Sequence, residues 1–143
     1  MRKFAENLNG LMFDKNINQK ELAEKLNIDY ASICRYLKGE CEPTVKNLIK
    51  LADFFKCTVD YLIGIDSDSI VTEFLPAPPI NERIKFIVEK ENLTGYKFCQ
   101  ELEFNQSTYS KWINGKRTPS INYIIKIADR FNLSVDYVLG REK

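Results

Sequence analysis

Apolar residues recur along this chain at intervals of three and four, the spacing that lines one face of a helix. Phe4, Leu8, Leu11 and Met12 begin the pattern, and Leu22, Ala23 and Leu26 continue it. Ile33 and Leu37 follow, and then Val45, Leu48, Ile49, Ala52 and Phe55. Polar punctuation separates these stripes. Asn18 with Glu21 three residues on has capping-box spacing, and Asp29 is a good N-cap for the helix after it. Gly39 suits a left-handed helix end, Thr44 opens a fourth helix, and Thr58 caps a short fifth one with Asp60 near its positive end. The pattern predicts five helices and no sustained alternation of the kind that makes a sheet. The fold class is all-α.

A shift of 76 residues reproduces the whole pattern without a gap, bringing residues 4–64 onto 80–140 with 14 of 61 positions identical. Ile80, Ile84, Ile87 and Val88 repeat the first stripe, and Phe98, Cys99 and Leu102 the second. Tyr109 and Ile113 repeat the third, and Ile121, Ile124, Ile125, Ala128 and Phe131 the fourth. Asn105, Gly115, Ser120, Ser134 and Asp136 repeat the punctuation. Such a period is too long for a solenoid unit, so the chain carries two copies of one small domain. The expected division is residues 1–64, an acidic, proline-ended linker over 65–79, and residues 80–143. Ile70, Val71, Phe74 and Leu75 suggest that the linker docks on a domain or forms a short strand, rather than acting as a bare spacer.

Composition then removes whole classes of function. The chain has 143 residues, no histidine and a net charge of +1. Without histidine there is no His-dependent triad, no Cys–His dyad and no imidazole metal site. Cys34, Cys41, Cys57 and Cys99 have no zinc-type spacing, and Cys57 and Cys99 fall on core positions. No cofactor or catalytic activity is expected. The first residues lack a signal-peptide pattern and no window approaches 18 consecutive apolar residues, so free thiols in the cytoplasm are the expectation. The repeated acids Asp53, Asp60, Asp129 and Asp136 are explained by capping and solubility.

Two short helices joined by the three residues Asn27-Ile28-Asp29, or Glu103-Phe104-Asn105, make a helix-turn-helix candidate. The geometry requires one helix to brace on the phosphate backbone while the next enters the major groove. The groove-facing set would be Tyr30, Ala31, Ser32 and Arg35, and then Gln106, Ser107, Thr108 and Lys111. Tyr36 and Trp112 are expected to be half-buried behind them.

Both copies resemble the Cro and lambda-repressor-like (XRE-type) helix-turn-helix domain. Gln19 to Leu26 resembles the family's second helix, and Gln106 to Pro119 resembles its recognition helix and the loop after it. The resemblance implies base contacts from Tyr30, Ala31 and Arg35, and from Gln106, Ser107 and Lys111. It implies a phosphate contact from Gln19. Ser32, Lys38, Lys97, Thr108, Asn114, Lys116 and Arg117 complete the expected phosphate-binding set. The family commonly has glycine in the turn, where Glu103 should cost about 1 kcal/mol or force a different turn. Gly95 takes the place of Gln19 in the second copy, so that phosphate contact is lost or passes to Tyr96 or Lys97.

The copies differ in charge. Residues 105–117 hold Lys111, Lys116 and Arg117 without an acid, whereas 29–41 set Arg35 and Lys38 against Asp29 and Glu40. Phosphate contacts dominate affinity, so the second copy should bind DNA more strongly. The expectation is a double-stranded DNA-binding transcriptional regulator, a repressor of bacterial or phage type, in which two copies could read half-sites about 34 Å apart. The alternative is a protein-interaction or antitoxin-like module in which one copy serves a partner or a homodimer.

Overall fold

The computed structural model describes residues 2–65 and 74–142. Ten helices and no strand occur among the described residues. The first half contains α1 (Arg2–Asp14), α2 (Gln19–Leu26), α3 (Tyr30–Lys38), α4 (Val45–Phe55) and α5 (Val59–Leu62). The second contains α6 (Ile80–Lys90), α7 (Gly95–Leu102), α8 (Gln106–Ile113), α9 (Ile121–Arg130) and α10 (Val135–Leu139). The chain falls into two compact units, Met1–Thr72 and Glu73–Lys143.

Side-chain caps set most of the helix starts. Asn18 Oδ1 accepts from the Glu21 amide at 2.8 Å while Glu21 Oε1 accepts from the Asn18 amide, closing the capping box. Thr44, Thr58, Thr94 and Ser134 each accept an amide three residues on. Asn105 accepts that of Ser107 at 2.8 Å. Asp29 does not act this way. Its side chain makes no cap bond, and α3 starts on main-chain bonds from Ser32 and Ile33 to the Asp29 carbonyl.

Five left-handed residues punctuate each unit. Asn16, Asn27, Gly39, Lys56 and Gly64 are matched, 76 positions on, by Asn92, Glu103, Gly115, Asn132 and Gly140. The two copies therefore share a backbone as well as a hydrophobic pattern. Glu103 keeps the turn that Asn27 makes, with φ of 58° against 53°, and so bears the strain instead of forcing a different turn.

Each core forms where the helices converge. In α4 the buried positions are Val45, Leu48, Leu51 and Ala52, and in α9 they are Ile121, Ile124, Ile127 and Ala128. Leu51 and Ile127 were not expected there, whereas Ile49, Ile125, Phe55 and Phe131 are only half-buried. The reason is angular. At about 100° per residue, Ile49 lies about 100° from Leu48, while Leu51 lies about 60° away on the other side. Leu11, Leu26, Leu37, Ile80, Tyr109 and Ile113 occupy the rims.

Tyr36 and Trp112 are buried, not half-buried, at 3% and 2% exposure. Tyr36 packs edge-on to Phe4 and its hydroxyl accepts from Asn47 Nδ2 at 2.9 Å. Trp112 sits between Phe104 and Tyr123, with centroid separations of 5.6 and 4.8 Å. The large rings fill the space between the reading helix and its supports, which fixes the orientation of that helix.

The first helix of each unit clamps the last. Asn7 Nδ2 donates to the Tyr61 carbonyl at 2.8 Å, and Arg83 Nε donates to that of Val138 at 3.2 Å. Asp60 and Asp136 are buried at 7% and 0% exposure, so solubility does not account for them. Asp136 bonds the equally buried Arg141, whose guanidinium lies 4.2 Å from the Phe74 ring. The Leu75 amide donates to the Arg141 carbonyl at 2.8 Å. Phe74 and Leu75 thus dock on the second unit, while Ile70 and Val71 lie outside the described residues. No helix among the described residues is long and apolar enough to cross a membrane.

Candidate nucleic-acid interface

In each unit the second and third helices meet through a three-residue turn, α2 with α3 and α7 with α8. Buried Ile28 and Phe104 pin the middle of that turn, and the left-handed residue before each ends the preceding helix. The outer face of α3 and α8 is left to solvent. Tyr30, Ala31 and Arg35 are exposed on one, and Gln106, Ser107 and Lys111 on the other. Ser32 and Thr108 are half-buried, while Lys38, Lys97 and Asn114 are exposed. Asn114 also places Nδ2 3.5 Å from Ser110 Oγ.

The loop after α8 is fixed to the helix. The amides of Lys116 and Arg117 both donate to the Lys111 carbonyl, at 2.9 and 3.2 Å, around the left-handed Gly115. That arrangement gathers three exposed cations, none of which makes an ion pair among the described residues. The first unit builds the same loop, with the Glu40 amide donating to the Arg35 carbonyl at 3.0 Å around Gly39. Glu40 stands where Lys116 stands, and Asp29 where Asn105 stands. The backbone is the same and the charge is opposite.

The first turn of α2 and α7 differs as well. Gln19 is half-buried, and the Cys34 thiol donates to its Oε1 at 3.0 Å. Cys34 thus holds the side chain of Gln19, a role its spacing in the sequence gave no reason to expect. A hydrogen bond and charge interaction with Cys34 also push the Tyr30 phenol above the ordinary tyrosine range, leaving it a neutral donor at neutral pH. In the second unit Gly95 carries no side chain, and the ring of Tyr109 covers it: a Cβ on Gly95 would lie 2.8 Å from Tyr109 Cε1. Burial, with a smaller contribution from Cys99, raises the Tyr109 phenol pKa. Among the described residues no group of cysteines and carboxylates could hold a metal ion.

Comparison with known proteins agrees with this architecture. The helix-turn-helix family model matches twice, at residues 14–62 and 84–138. The HTH-type transcriptional regulator ImmR of Bacillus subtilis (strain 168) is 34% identical over 91 residues, 63% of this chain and 69% of that protein. The HTH-type transcriptional regulator DicA of Escherichia coli (strain K12) is 30% identical over 66 residues, 46% of this chain and 45% of its own. The cryptic phage CTXphi transcriptional repressor RstR of Vibrio cholerae serotype O1 is 37% identical over 49 residues, 34% and 44% of the two chains. No solved structure matches. Two matches of the family model, each spanning a turn flanked by a bracing helix and an exposed one, leave no room for an enzyme reading: the chain belongs to the XRE-type, Cro/lambda-repressor-like helix-turn-helix family of DNA-binding transcriptional regulators, and carries its domain twice.

Proposed function

We propose that the chain is a sequence-specific repressor that places α3 and α8 in the major groove of double-stranded DNA and draws most of its affinity from the second copy. The exposed cluster of Lys111, Lys116 and Arg117, held on one carbonyl and free of ion pairs, carries this reading. Each such cation can displace a counterion from a phosphate. Gln106 and Lys111 have the donors and acceptors to read adenine and guanine edges, with Ser107 beside them. Thr108, Asn114 and Lys97 flank that face as phosphate contacts. In the first copy Tyr30, Ala31 and Arg35 face the bases, and Gln19, Ser32 and Lys38 face phosphates.

A second reading gives the first copy a different task. Asp29 and Glu40 lie at the two ends of α3 and repel a phosphate backbone, which favours a protein surface such as a second copy of this chain. Selection of sites from random duplexes separates the two. Whole chain and a Lys111→Ala/Arg117→Ala variant are each selected, and the enriched sequences are compared. A two-part motif that loses one part in the variant supports two reading heads. A one-part motif that vanishes in the variant assigns reading to the second copy alone. No enrichment by the wild-type chain would remove the DNA-binding proposal.

A further inference from the structure

We infer that the Tyr109 hydroxyl is a phosphate-contacting group of the second copy, standing in for the side chain that Gly95 lacks. The inference rests on the DNA-binding proposal above. The first residue of α2 is Gln19, and the matching first residue of α7 is Gly95. The vacated space is filled from the neighbouring helix. A Cβ on Gly95 would meet Tyr109 Cε1 at 2.8 Å and its hydroxyl oxygen at 3.3 Å, so the phenol reaches across the start of α7.

Three positions differ together. The first copy has Gln19, a fully buried Ile33, and Cys34 holding the glutamine. The second has Gly95, a half-buried Tyr109, and Ser110 turned to Asn114 instead. Packing against Phe98, at a centroid distance of 5.5 Å, fixes the Tyr109 ring. Its hydroxyl makes no hydrogen bond among the described residues. The ring lines an open groove of about 280 Å³ together with Gly95, Tyr96, Gln106 and Ser110. A phosphate seated there would lie beside Gln106, at the start of the reading helix, and near the first-turn amides of α7, which favour an anion. The raised phenol pKa keeps the group a donor.

The contact is independent of sequence, so a random-sequence duplex of about 30 base pairs at low salt is a sufficient probe. Binding of the full chain is followed by fluorescence anisotropy for wild type, Tyr109→Phe, Tyr109→Ile, and Gly95→Gln/Tyr109→Ile. Losing one donor to a phosphate should weaken binding about tenfold in Tyr109→Phe, with the thermal midpoint unchanged. The double variant restores the first copy's arrangement and should regain most of what Tyr109→Ile loses, which a purely packing role would not allow. Wild-type affinity in Tyr109→Phe, alongside weakened binding by Lys111→Ala/Arg117→Ala, would overturn the inference and leave the DNA-binding proposal standing. Transfer of the loss to Tyr96→Phe would overturn it equally. A wild-type chain that does not bind the duplex would remove both.

Discussion

The charge difference between the copies can be turned into a slope. Replacing Lys111, Lys116 and Arg117 by alanine removes three exposed cations that form no internal ion pair, so the fold loses no partner. Each phosphate neutralised contributes about 0.9 to the fall of log K with log salt, so the triple variant should lose about 2.7 from that slope. Between about 50 and 200 mM salt those three contacts account for about a 40-fold change in affinity. Arg35→Ala/Lys38→Ala removes two cations already opposed by Asp29 and Glu40, and should change the slope by less than about 1. Anisotropy titrations of one duplex across that range measure both. The single Trp112, buried between Phe104 and Tyr123, reports by its fluorescence that the second unit stays folded. Equal slope changes in the two variants, or none in the triple, would refute the reasoning.

Other perturbations test the scaffold. Arg141→Met leaves Asp136 buried without its cation and should cost about 3–5 kcal/mol, whereas Asp136→Leu/Arg141→Met should recover much of that loss in urea unfolding. Glu103→Gly should relieve a left-handed residue and stabilise the second unit by about 0.5–1 kcal/mol, read as a rise in its melting midpoint. Gly10→Ala should stabilise by about 0.5–1 kcal/mol, because it lies within α1 and an added methyl meets nothing within 4 Å. Gly64→Ala should destabilise, because its φ of +87° is left-handed and the methyl would strike Lys3 Cβ.

Periodicity and caps made the helices legible, and the gap-free shift made the duplication legible, because both are local or one-dimensional signals. What stayed hidden depends on neighbours that the sequence does not place. The pairing of Asp136 with Arg141 was invisible because Arg141 matches Ile65, an exposed residue, so the repeat offered no precedent. Cys34 read as a small helix residue, because its bond to Gln19 joins two helices across 15 positions. Gly95 read as a lost contact, because only the folded chain shows that Tyr109 covers it.

The shared backbone sharpens what can differ between the copies. With every left-handed residue matched, each reading helix presents its outer face in the same way to whatever it meets. Functional divergence is therefore confined to the exposed side chains and to the first turn of α2 and α7. There the substitutions agree in direction: Asp29 gives way to Asn105, Glu40 to Lys116, and Cys41 to Arg117. All three move the second copy toward a phosphate backbone, and random drift across a solvated face gives no reason for that agreement. The near-neutral net charge of the chain is thus the sum of two surfaces with opposite tendencies, and the reach of the protein onto DNA follows from the local charge of each unit.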